Sequence, residues 1–294
     1  MSSSKKGLLL VIISGFVFGV MPSAISYCYE QGATTIMMVF FRYVMLASVL
    51  FIRRRSVKGL LTDFRRHAVP LLLLGICGAA TPLLLFSSYR YLPTGISTTI
   101  HYLYPMLVAI LCVTVFHDQI SRTKLLCFLL CLGGIGLMLD LTGGSLNRTG
   151  IILAVVSSVT WACYIVFLGK FDFGVLQSTD IMLYVALISQ CMFLVYGLAT
   201  GGFVLNLGLK SWGAIILTDL VIAIFGSLFF SIGARQTDAQ AAAIASTLEP
   251  IVSILIGTVF LHETVNFRTA AGMVMILTAV ILLAVSENNA SNKK

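Results

Sequence analysis

Charge is what this 294-residue chain has least of: 10% of its residues are Asp, Glu, Lys or Arg. A water-soluble domain carries roughly 25%. With 59% apolar residues and a mean hydropathy of +1.01, no soluble fold can hide the apolar surface, so lipid must cover it. Acid is scarcer than base, and the formal net charge is +8. A basic balance can signal nucleic acid. Here the cations sit in short clusters between apolar runs, as in loops on the cytoplasmic side of a membrane, and no nucleic-acid partner is expected. His117 and His262 lack metal-ligand spacing, so no metal is expected. The seven cysteines contain no CxxC pair and read as small apolar packing residues. Gly133–Gly134–Ile135–Gly136 lacks the Lys and the strand–turn–helix context of a phosphate loop, and reads as a helix-packing stretch. No paired acid and nucleophile marks an enzyme, and no cofactor is expected. No ATP-binding domain is recognisable, so uphill movement of a solute would draw on an ion or solute gradient.

Long apolar runs are what the chain has in place of charge. A helix crosses the ~30 Å hydrocarbon layer in about 20 residues. Ten segments qualify: roughly 7–28, 35–52, 68–89, 93–116, 124–141, 150–169, 178–200, 212–234, 238–261 and 268–286. Lys5–Lys6 ahead of the first run imitates a signal peptide, but that run belongs to the repeat pattern described next, so cleavage is not expected. Asn147–Arg148–Thr149 fits a glycosylation sequon and is taken as chance.

Two stretches look like copies of one element, 145 positions apart. The offset takes Arg90 to Arg235, Leu103 to Leu248, Pro105 to Pro250 and Asp118 to Glu263. Five spans in each half means that the second half enters the membrane from the opposite side. The expected fold is therefore an all-α membrane protein of ten transmembrane helices, arranged as two inverted five-helix repeats, 5–142 and 147–288, around a central cavity. Placing both termini in the cytoplasm puts most of the 19 Lys and Arg inside, including Arg53, Arg54, Arg55, Lys58, Arg65 and Arg66. The expected location is the cell membrane. Inverted repeats supply two exchangeable arrangements, open to one side or the other, and so point to a carrier.

Several short motifs stand in a fixed order along the chain. They are Phe18–Gly19, Phe41–Arg42, Tyr89 to Leu92, Gly95 to Pro105 and Phe116 to Ile120, then Trp161–Ala162, the 241–247 run, Glu249–Pro250, and Leu261–His262–Glu263 leading to Gly272. In these the chain resembles the drug/metabolite transporter superfamily, specifically its ten-helix EamA branch, over essentially its whole length. The resemblance implies a helical basket whose cavity is built mostly from spans one, three, four, six, eight and nine. It also implies movement of amino acids, other small metabolites or drugs, often outward. Two departures stand out: Asp118 where a Glu is usual, and Tyr104 where the second half has Glu249.

Candidate site residues follow from depth within the spans. Pro105 and Pro250 each remove a helical N–H, freeing the carbonyls of His101 and Ser246 for a substrate or a water. Glu249 is the one acid deep inside an expected span; it can bind a substrate amine, take up a proton, pair with Arg42, or serve as a structural hydrogen-bond partner. Asp219 and Asp140 are placed nearer span ends, within reach of the interface. Arg42 is read as a structural charge tying span two to a neighbour. His101 can form a proton-binding pair with Glu249, or a helix-to-helix hydrogen bond. Trp161 and Tyr164 share a helix face with Ser157, and Tyr102 and Tyr104 flank the kink, so these rings can stack on an aromatic or cationic substrate. Tyr89, Tyr91 and Trp212 suit an interfacial belt. The substrate-binding set is thus His101, Tyr104, Trp161, Tyr164, Ser246 and Glu249. The expected function is secondary transport, and the expected partners are a small-molecule substrate, the bilayer and protons, with a monomer favoured. Alternatives are an uncoupled facilitator and a membrane-embedded lipid-modifying enzyme.

Overall fold

The computed structural model describes residues 3–54, 60–116, 147–174, 176–236, 248–263 and 265–291, together with 126, 127, 129–131, 133, 134 and 137. It is helical throughout these, with no strand among the described residues. The helices are α1 (Ser3–Glu30), α2 (Thr35–Arg54), α3 (Leu60–Arg66), α4 (Ala68–Ser88), α5 (Thr94–His101), α6 (Tyr104–Phe116), α7 (Arg148–Lys170), α8 (Ser178–Thr200), α9 (Leu209–Val221), α10 (Phe229–Gln236), α11 (Leu248–Phe260) and α12 (Phe267–Ser291). A π-helical stretch, Ile222–Leu228, joins α9 to α10.

Helix is the element that satisfies its own backbone in lipid; Pro22 and Pro82 lie within α1 and α4, and membrane helices tolerate proline because neighbouring groups take up the freed carbonyls. Glycine ends two of the helices. Gly32 (φ 89°) follows α1 and Gly201 (φ 64°) follows α8. The next N–H folds back in each case, from Ala33 to the Cys28 carbonyl at 3.0 Å and from Gly202 to that of Gly197 at 2.8 Å. This is the Schellman arrangement. Asn147, half of the apparent sequon, caps α7: its side-chain oxygen accepts from the N–H groups of Thr149 (2.9 Å) and Gly150 (3.3 Å).

Six helices among the described residues are long and apolar enough to cross a membrane: Lys6–Glu30, Thr35–Arg54, Ala68–Ser88, Arg148–Lys170, Thr179–Thr200 and Leu209–Leu228. The fourth expected span is not one helix. It breaks at Tyr102–Leu103 between α5 and α6, with Pro105 in the first turn of α6. Pro250 sits likewise in the first turn of α11. Proline is tolerated at a helix start, where its missing N–H has no partner to lose. Most of the fifth expected span lies outside the described residues.

Large apolar side chains face outward, among them Leu209 at 91% and Phe267 at 88% exposed. Inside, Met37, Met38, Phe86, Ile215 and Ile222 form the largest buried cluster, where α1, α2, α4, α8 and α9 meet. α2 and α8 run antiparallel and are joined at both ends. The Thr34 hydroxyl donates to the Gly202 carbonyl at 2.6 Å, and at the opposite end Arg54 donates to Asp180 at 2.7 Å, with Asp63 3.9 Å from the same guanidinium. α4 packs on α7 and α8; α1 packs on α11, α10 and the π-helical stretch. Of the three expected belt rings, Tyr91 is 47% exposed, but Tyr89 is buried against Phe86 with ring centroids 5.9 Å apart. Trp212 is half-buried, edge-on to Phe41 at 5.4 Å.

Candidate functional site

The break in the fourth span puts two rings at the middle of the protein. Tyr102 lies in the turn and Tyr104 opens α6, with ring centroids 5.4 Å apart. Tyr104 also lies 5.7 Å from the His101 ring and meets Trp161 of α7 edge-on at 6.4 Å. Trp161 stacks on Tyr164 at 4.8 Å with the ring planes 3° apart. Helical spacing of three places those two on one face, as the sequence predicts. The result is an unbroken ladder of rings running from α5 across to α7, with π faces suited to flat or cationic groups.

Glu249, in the first turn of α11, joins the ladder at one end. The Tyr102 hydroxyl donates to its Oε2 at 3.0 Å. Arg42 does not bond Glu249. Its guanidinium donates weakly to the Met21 sulfur at 3.4 Å and lies over the rings of Phe18 (5.9 Å) and Phe86 (5.6 Å). Nor do His101 and Glu249 pair. His101 Nδ1 lies 2.9 Å from Ser157 Oγ on α7, and that hydroxyl donates its proton to the Ala154 carbonyl at 2.7 Å. Ser157 is left as acceptor, which assigns the His101 proton to Nδ1 and leaves Nε2 as the accepting nitrogen. Ser246 lies outside the described residues, as does Asp118.

From Glu249 outward, α5 and α11 run antiparallel and close together. The Thr98 and Ser253 hydroxyls are 3.3 Å apart. A Cβ on Gly95 would lie 2.8 Å from the Ile254 Cα, and one on Gly257 would strike the Glu263 carboxylate. Beyond them Glu263 takes hydrogen bonds from the Thr94 N–H at 2.7 Å and the Thr94 hydroxyl at 3.1 Å. His262 makes this possible. Its left-handed backbone (φ 53°) turns the chain back at the end of α11, a conformation His accepts better than most residues do. A Cβ on Gly19 would lie 2.8 Å from the Glu249 carbonyl oxygen, so α1 packs against α11 at the same level.

Sequence reasoning names three residues here without finding their tasks, Tyr102 being read only as a ring that flanks the kink. Tyr102 is the donor to Glu249. Glu263 was seen as a motif without a task, although an acid after a helix is the kind of group that caps a neighbouring one. Asp219 was placed near a span end; it lies at mid-length of Leu209–Leu228 and is 0% exposed.

With the fold in view, comparison with known proteins is informative. An uncharacterized transporter of Bacillus subtilis, YvbV, is 27% identical over 204 residues, 66% of this chain. The chain spans 64% of that protein's length in the match. The pseudopaline exporter CntI of Pseudomonas aeruginosa is 22% identical over 283 residues, covering 95% of this chain and 96% of its own. A solved crystal structure superposes with a TM-score of 0.62 at 16% identity, covering 98% of this chain and 99% of that one, and so shares the fold. The protein is a multi-pass membrane protein, and, with the family model matching it twice, over residues 5–140 and 148–285, it belongs to the EamA-like transporter family.

Proposed function

We propose that the protein is a secondary carrier, acting as a monomer, that exports small metabolites such as amino acids across the cytoplasmic membrane by alternating access. The observation that carries this reading is the bond between Tyr102 and Glu249, one from each half of the chain, beside the Tyr104–Trp161–Tyr164 ladder. A lone carboxylate against ring faces suits a substrate amine or a larger organic cation. His101, Tyr104, Trp161, Tyr164, Ser246 and Glu249 line the cavity in this reading, Pro105 and Pro250 hold the helix starts that open onto it, and Arg42 is a structural charge.

Inverted repeats, 5–142 and 147–288, are supported by the packing. The 145-residue offset relates α2 to α8, and those two helices run antiparallel. The same offset takes Thr81 to Gly226 and Gly15 to Thr160. Thr81 bonds Thr160 at 2.9 Å, and Ser14, next to Gly15, bonds the Gly226 carbonyl at 2.8 Å. Contacts at matching places, used in reverse, support a twofold axis in the membrane plane. The clustered cations at 53–66 support cytoplasmic termini. The pseudopaline exporter, aligned along nearly the whole chain, supports the outward direction.

Counterflow in proteoliposomes tests the proposal, using a panel of labelled amino acids and nucleosides. A carrier exchanges labelled for unlabelled solute, whereas a channel-like facilitator or an enzyme does not. Glu249→Gln is expected to lower exchange about tenfold, the scale of one hydrogen bond to a charged group, and to flatten its pH dependence. Exchange unaltered in rate and pH profile removes Glu249 from the mechanism.

A further inference from the structure

Asp219 is a second acid at mid-membrane, and the site built around Glu249 makes no use of it. It is 0% exposed, and neither of its carboxyl oxygens has a hydrogen-bond partner. α9, which carries it, packs on α1, α2 and the π-helical stretch. The ionisable groups that face it from these elements are Arg42 on α2, whose charge acts on it, and Cys28 on α1, whose thiol is 3.8 Å from the neighbouring Thr218 hydroxyl. Ile222–Leu228 contributes no ionisable side chain. An ionised carboxylate with no donor in so dry a place is costly, and a neutral acid is far less so.

The repeat provides an internal control. The position equivalent to Asp219 in the first half, 145 residues earlier, is Leu74, also 0% exposed. The architecture therefore accepts an apolar side chain at this place, and packing does not call for an acid. Three residues beyond Asp219 the helix widens into the π-helical turn, a form concentrated at functional sites because its looser bonding permits local rearrangement.

We propose that Asp219 is a proton-binding site, separate from Glu249. A proton from water forms an O–H bond on one Asp219 carboxyl oxygen and returns to water when the π-helical turn shifts α9 against α1 and α2. The site does not depend on what the Glu249 pocket carries.

Infrared difference spectroscopy of the full-length protein in lipid, titrated with acid and base, tests this with the proton itself as probe. The expected result is a carboxylic-acid carbonyl band that titrates, shifts in heavy water, vanishes in Asp219→Asn and Asp219→Leu, and persists in Glu249→Gln. Asp219→Leu, copying the first repeat, is expected to fold and elute as wild type, so loss of the band reports the acid and not the fold. A band unchanged in Asp219→Asn overturns the proposal, as does one that sodium removes at constant pH. An Asp219-dependent band in a protein inert in counterflow would sink the carrier reading and leave the proton site standing.

Discussion

Glu263 and Thr94 lie 169 residues apart in sequence and are joined by two hydrogen bonds, 2.7 Å from the Thr94 N–H and 3.1 Å from its hydroxyl. The acid that ends the helix of one half thereby caps the first turn of a helix in the other. Glu263→Ala removes both bonds and should cost about 2–3 kcal/mol, while Glu263→Gln, which keeps an acceptor, should cost about 1 kcal/mol. Thermal melts in detergent give the order; equal melting of wild type and Glu263→Ala would contradict it.

Gly95 and Gly213 make a matched pair. A Cβ on Gly95 would press on the Ile254 backbone at 2.8 Å, so Gly95→Ala should destabilise by about 1–3 kcal/mol. Nothing lies within 4 Å of a Cβ on Gly213, inside α9, where Ala should stabilise by about 0.5–1 kcal/mol. The same melts read both, and opposite signs are required.

Tyr102→Phe keeps the ring and removes the hydroxyl that donates to Glu249. A loss of about 1–3 kcal/mol follows from leaving that acceptor short of a partner. The proposed transport role adds a functional consequence: counterflow should fall in Tyr102→Phe as it does in Glu249→Gln, and the double variant should be little worse than either alone. Additive losses would show that the two residues act separately.

Asn147→Ala should cost about 1 kcal/mol through loss of the α7 cap, and Asn147→Asp should cost little, since Asp caps as well. Helix content by circular dichroism and melting temperature together check this. A neutral Asn147→Ala would mean that the cap adds nothing.

Much of the architecture was legible because lipid imposes a simple rule on composition: long apolar runs between short polar turns. The shared face of Trp161 and Tyr164 was legible too, as a matter of helical spacing, though not their stacking on each other. The motif residues Phe18, Gly19, Gly95 and Glu263 were recognisable, but their tasks were not, because each acts on a residue distant in sequence. Phe18 lies under Arg42, Gly19 admits the Glu249 backbone, Gly95 admits Ile254, and Glu263 reaches Thr94. For His101 and Glu249 the sequence leaves a mutual pair and separate helix-to-helix hydrogen bonds open, and the structure shows the separate bonds. Depth in the membrane cannot choose between these; the break at Tyr102–Leu103 gives Glu249 to Tyr102, and α7 brings Ser157 to His101. The sequence shows Asn147 only as part of a chance sequon; its task is to cap the backbone two and three residues on.

The double fastening of α2 to α8 limits how the halves can rearrange. A bar pinned at Thr34–Gly202 and again at Arg54–Asp180 resists sliding along its length, so in the proposed alternating access the halves would pivot about it as about an axle. Spin labels on α2 and α8 should then keep a constant separation through the working cycle. Labels near Thr94 and Glu263, off the axle, should swing apart when the Thr94–Glu263 end opens.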